Sequence, residues 1–224
     1  MMRNVLVVSL AVLSLACAGA PQKRGGADAY KNFAGLRAEN TEGRDYSREV
    51  YDRGSEITVF ALHGGDIEPG TARVARELAA GDLNLYVFCG WQRARSPGLH
   101  LTATHFDDPA AVELSTRALL GFSVHGQSGR GYQVCVGGAN RRAAEITAKT
   151  LEAAGFPART PCPRLPGVSP ANIVNLPARG GVQLEITAAL LERLELSPLE
   201  LANFAGAVRK AAFDYLETSR GETK

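Results

Sequence analysis

Residues 57–80 read ITVFALHGGDIEPGTARVARELAA, and this stretch decides how the chain is built. Ile57 to Leu62 is an apolar run of strand length, interrupted only by Thr58. It breaks at Gly64-Gly65, the residue type that most readily ends a strand in a turn. From Thr71 to Ala80 the apolar residues recur at helical spacing, and Asp82 stands in the turn beyond. Strand, glycine turn and helix in that order predict an alternating α/β chain.

The same alternation extends in both directions. Strands are predicted over Leu83–Phe88, Leu99–Thr104, Gly121–Val124, Tyr132–Val136 and Gly181–Thr187. Helices are predicted over Asp108–Leu119, with Asp108 as N-cap and Pro109 at the first helical position, and over Asn140–Ala154, closed by Gly155. Ala188–Leu194 reads as a short helix. Ser197-Pro198-Leu199-Glu200 reads as a capping box opening a last helix, Leu199–Glu217. Upstream, Tyr30–Leu36 reads as a short amphipathic helix and Asn40–Asp45 as a loop. The expected architecture is a three-layer α/β fold, a mixed β-sheet flanked by helices, with ligands at the carboxyl ends of strands.

The N-terminus has its own character. Arg3 precedes an apolar run from Val5 to Ala16, then Cys17. That is the pattern of an export signal, too short to span a bilayer as a helix. Leu13-Ser14-Leu15-Ala16-Cys17 is similar to a lipobox, with Ser14 at a position where Leu is usual; ordinary signal cleavage is the alternative. Residues 1–17 are therefore read as signal and lipobox, 18–29 as a flexible tether and 30–224 as one domain. The expected location is outside the cytoplasm, with membrane attachment if Cys17 is lipidated. Export permits disulfides. Beyond Cys17 the chain holds Cys89, Cys135 and Cys162, which leaves one unpaired; Cys89 and Cys135, inside apolar runs, read as buried free thiols.

Net charge is +2, and no Lys/Arg run with interleaved aromatics occurs, which argues against nucleic-acid binding. Chemistry collects instead around histidine. The four histidines are His63, His100, His105 and His125. His63 and His125 each close a strand and each precede glycine. Glu68 follows His63 across the glycine loop, so the two side chains can converge. His, Glu and a distant His make the three-ligand set that catalytic zinc uses. Asp66 is a rival ligand explained equally by turn chemistry. Glu185, in Gly181-Val182-Gln183-Leu184-Glu185-Ile186, is either a solvent-facing strand residue or a general base beside the metal.

The blocks RGSEITVFALHGGDIEPGT, LHLTATHFDDP, FSVHG and GVQLEIT, with YKNFAGLRAENTEGRDY upstream, resemble the poly-gamma-glutamate hydrolase family of bacteria and their phages. The resemblance runs from about Tyr30 to Leu194. It implies a zinc-carboxypeptidase-like fold and one Zn²⁺ per chain on His63, Glu68 and His125. It also implies Glu185 as catalytic glutamate and cleavage of γ-linked glutamyl amide bonds in an anionic polymer or peptide. Two positions depart from the family pattern: Cys89, where an acidic residue is common, and Leu176, where arginine is common, with Arg179 the nearest arginine. These departures keep a zinc peptidase acting on cell-wall or other peptides as an alternative, beside a non-catalytic exported binding lipoprotein. His100, Arg179 and Arg95 are the candidate substrate-binding residues, with Arg93 a further cation and His105 a supporting or surface residue. No protein partner is evident.

Overall fold

The computed structural model describes residues 28–91 and 98–221. The signal, lipobox and most of the tether expected from sequence lie outside the described residues, as do Arg93 and Arg95. Among the described residues seven strands form one sheet: β1 (Tyr46–Tyr51), β2 (Ile57–Gly65), β3 (Asn84–Gly90), β4 (Leu120–Gln127), β5 (Val134–Gly137), β6 (Ala158–Arg159) and β7 (Gly181–Thr187). Six helices flank it: α1 (Phe33–Glu39), α2 (Thr71–Ala79), α3 (Pro109–Arg117), α4 (Arg141–Ala153), α5 (Ala188–Leu196) and α6 (Pro198–Gly221). The strand order is β1-β3-β2-β4-β7-β5-β6. Strands β3, β2, β4 and β7 run parallel, while β1 and β5 pair antiparallel with β3 and β7. The sheet is mixed and has helices on both faces, as expected.

Each face has its own core, because the strands alternate. Val59, Ala61, Val87, Phe122, Val124, Val182, Leu184 and Ile186 pack under Leu78, Leu151, Phe204 and Val208 from α2, α4 and α6. Phe60, Leu62, Tyr86 and Phe88 face the other way, against Phe33 and Leu36 of α1, Leu114 of α3 and the loop residues Leu101 and Phe106. Burying each large side chain stabilises by about 1.5–3 kcal/mol. Helix ends follow their caps. Asp108 accepts from Ala110 N, and Asn140 accepts from Ala143 N. Asn32 accepts from Gly35 N and starts α1 at Phe33, later than the apolar pattern alone predicts.

Several expectations are corrected. Leu99–Thr104 is not a strand. Its alternation is real, since Leu99, Leu101 and Ala103 are buried, but its backbone groups serve other partners: Leu101 O meets His63, and Ala103 O accepts from Ile173 N. The edge place beside β3 belongs to β1, whose polar sequence hides it. The two-residue β6 and a 3₁₀ turn, Ile173–Asn175, also escape sequence patterns. Cys135 is not a free thiol. It is bonded to Cys162, 27 residues away, because the chain after β6 folds back over β5; Cys89 remains free and buried.

A bulge in β2 aims the histidine. Ala61 pairs with Val87 and Gly64 with Cys89, so β2 carries one residue more than β3 between these pairs. Ala61 lies in the core under α2, and a Cβ on Gly64 would meet Cys89 Sγ and Ala72 Cβ on that same side. Leu62 and His63 are thereby both turned to the opposite face. Gly65 then takes a left-handed φ of 69°, with its would-be Cβ 2.5 Å from Gly90 O. Gly65→Ala is expected to destabilise the fold by more than about 1 kcal/mol, measured by urea denaturation. An unchanged midpoint would show that the strand end relaxes freely.

Candidate metal centre and active site

His63, His125 and Glu185 stand near the carboxyl ends of three adjacent parallel strands, β2, β4 and β7. The chain leaves β2 for β3 on one side of it, and returns through α3 to β4 on the other side. Such a switch opens a crevice at the strand ends. The loop from His63 to Glu68 closes on itself, with Glu68 N donating to His63 O at 2.7 Å. That closure turns Glu68 inward, 8% exposed, and leaves the rival Asp66 at the surface. Gly126 N, directly after His125, donates to Glu68 Oε2 at 2.7 Å.

The three side chains converge. His63 Nδ1 lies 3.4 Å from Glu68 Oε1, His125 Nδ1 lies 3.7 Å from Glu68 Oε2, and the two Nδ1 atoms are 3.2 Å apart. His63 Nε2 is 2.9 Å from the carbonyl of Leu101, which only accepts. The proton of a neutral His63 is thus on Nε2, and its Nδ1 lone pair faces Glu68 and His125. His125 Nε2 is buried without a hydrogen-bond partner among the described residues. Burial works to raise the Glu68 carboxyl, but the imidazoles of His63 and His125, when protonated toward it, hold it well below the usual carboxylate range. Ligands 2.0–2.1 Å from a tetrahedral zinc stand about 3.3 Å from one another. An imidazole–carboxylate–imidazole set at 3.2–3.7 Å fits that ion.

His100 joins from the loop. Its ring stacks on His63 with centroids 4.2 Å apart, and it offers a further ligand atom within 4.8 Å of those of His63 and Glu68. Burial and the neighbouring His63 lower its pKa, and Asp28 opposes them. Asp28 is the residue that sequence reading missed, having been placed in the tether. Its carboxylate takes His100 Nδ1 at 3.2 Å, His105 Nδ1 at 2.8 Å, and both the N–H and the hydroxyl of Thr102, at 2.9 and 3.0 Å. Nothing in the sequence around Asp28 signals this, because its partners lie more than seventy residues downstream.

Glu185 is register-paired with His125 and shares its face of the sheet, opposite Val124 and Leu184. It is 4% exposed, so the solvent-facing reading does not hold. Arg179 is not brought to this group. It precedes β7, at the far end of that strand from Glu185, and its guanidinium donates to Ser219 on α6. It is corrected from substrate residue to a tie between sheet and helix. Leu176 packs with the aromatic core, and Cys89 belongs to the core under α2, on the sheet face away from His63.

The family model described as poly-gamma-glutamate hydrolase matches residues 30–197. YndL of Bacillus subtilis (strain 168) is 39% identical over 171 residues, 75% of this chain and 67% of that protein. The prophage-derived protein YoqZ of the same organism is 34% identical over 85% of this chain and 69% of its own length. Among solved structures, a bacteriophage poly-gamma-glutamate hydrolase superposes with a TM-score of 0.79 at 29% identity, covering 86% of this chain and all of that one. A zinc-free apo form of YndL superposes at 0.73 with 32% identity, covering 86% and 99%.

Proposed function

Since the chain belongs to the poly-gamma-glutamate hydrolase family, we propose that it cleaves γ-glutamyl amide bonds, with one zinc ion on His63, Glu68 and His125 and with Glu185 as general base. The observation that carries this reading is the convergence of two imidazole Nδ1 atoms and a buried carboxylate at zinc-ligand spacing. Zinc in such a site supplies Lewis acidity, which acidifies a water and polarises a carbonyl. The protein's own groups do the rest. Glu185, beside His125, takes a proton from the attacking water as its oxygen bonds to the amide carbon. The same carboxyl returns that proton to the amine nitrogen as the C–N bond breaks, leaving a free amine and a carboxylic acid that gives up its proton to solvent. The Leu101 carbonyl orients His63, and Gly126 N–H orients Glu68. His100, packed on His63 and half-exposed, is placed to meet a substrate carboxylate.

Export belongs to the same proposal. A disulfide between Cys135 and Cys162 supports an oxidising compartment. Among the described residues no helix is long and apolar enough to cross a membrane. Of the positions that depart from the family pattern, Cys89 lies in a packed core and Leu176 packs, partly buried, against the aromatic one, so no observation favours a cell-wall peptide. Purified protein incubated with poly-γ-glutamate is expected to shorten the polymer and release amines, to stop when zinc is chelated, and to resume when zinc is returned. Cleavage of muropeptides with poly-γ-glutamate and γ-glutamyl peptides left intact would overturn the substrate assignment.

A further inference from the structure

Glu185 is not the only polar residue on its face of β7. Gln183, two residues earlier on the same face, is also buried, and so is Asn172 beside it. The three form a directed chain. Val174 N–H donates to Asn172 Oδ1 at 3.2 Å; Asn172 Nδ2 donates to Gln183 Oε1 at 2.8 Å; Gln183 Nε2 donates to Glu185 Oε1 at 2.9 Å. Its direction is forced from one end. A backbone N–H can only donate, so the Asn172 oxygen must face Val174 and its NH₂ must face Gln183. That places the Gln183 oxygen toward Asn172 and its NH₂ toward the carboxylate.

The surroundings hold the middle of this chain still. Gly167 has a φ of 63°, and a Cβ there would stand 2.7 Å from the Gln183 amide. The segment carrying Gly167 and Asn172 is fastened over β5, where Gly138 N donates to Pro166 O and Cys162 is bonded to Cys135. Cys135 is itself the register partner of Glu185. A disulfide, a glycine cradle and a backbone N–H therefore all fix one amide, and that amide points at one carboxylate oxygen.

We propose that Gln183 is a positioning residue for Glu185. Anchored through Asn172 to the Val174 backbone, it engages Oε1 and fixes the plane in which the carboxylate meets the reacting water and amine. The inference rests on the reading of Glu185 as general base. Gln183→Met keeps the side-chain length and removes the donor. It is expected to lower kcat by about 10–100-fold, as losses of supporting hydrogen bonds do, with KM within about twofold and zinc content unchanged. Gln183→Glu keeps shape but replaces the donor with an acceptor, and should lose as much; a merely structural role would be rescued by this isostere. Asn172→Asp retains the acceptor for Val174 N–H and removes the donor to Gln183, and should also lower kcat at constant zinc. Wild-type kcat in zinc-loaded Gln183→Met, or in Asn172→Asp if the first variant does not fold, overturns the proposal. So does restoration of activity by Gln183→Glu. Glu185→Gln separates the two readings: if it is inert while Gln183→Met is fully active, the base stands and the positioning role falls. An active Glu185→Gln removes the base reading itself.

Discussion

Glu185→Gln is expected to keep the zinc content of the wild type and to lose about 10²–10⁴-fold in kcat, the usual contribution of a positioned general base. The substitution preserves shape and keeps an oxygen that can accept from Gln183 Nε2. In the proposed mechanism it removes the group that receives a proton from water and delivers it to the amine. Glu185 lies beside His125 in the sheet, and Gln127 Nε2 holds its backbone carbonyl at 2.8 Å, so the strand itself should not move. Steady-state kinetics on poly-γ-glutamate, with metal analysis of the same sample, checks both halves. A variant with full turnover shows that another group carries the proton, whereas one that is inactive and zinc-free shows that Glu185 serves the metal instead.

His63→Ala and His125→Ala should each abolish stable zinc retention. Losing an outer-shell partner of a metal ligand costs about 10–100-fold in affinity, and losing the ligand itself should cost more. The readout need not involve turnover. A ligand that binds only the folded state stabilises it, and zinc at a hundred times its Kd adds about 2.7 kcal/mol. Wild-type protein should therefore melt higher when zinc is added, and both variants should not. His125→Ala also relieves a ring nitrogen that is buried without a partner among the described residues. Its metal-free form is accordingly expected to be no less stable than metal-free wild type. Equal zinc stabilisation in wild type and both variants would remove these histidines from the metal site.

Much of the fold was legible because periodicity and caps are local. The run Ile57–Leu62 and the cap at Asp108 each carry their information within a few residues, and each became the element expected; at Ser197 half of the expected box forms, its hydroxyl accepting from Glu200 N while the Glu200 carboxylate pairs with Arg193. The same alternation misled at Leu99–Thr104, since period-two burial requires only two different faces, not a partnered ladder. The edge strand β1 was invisible for the converse reason: it is paired on one side and largely solvated, so its sequence has little apolar signal.

The chain's order of residues by itself determined which elements form, which histidines close strands, and that Glu68 sits one loop from His63. Tertiary structure alone decided what meets at the strand ends. Sequence periodicity reports the face a residue occupies, not which strands become neighbours. Asp28 therefore came to hold His100, Arg179 went to the opposite end of its strand, and Cys135 found Cys162. The β2 bulge is the sharpest case. Strict alternation places His63 with Ala61, in the core under α2, and one extra residue against β3 turns it instead toward His125 and Glu68. Pairing between strands far apart in sequence sets that register, and the candidate metal centre depends on it.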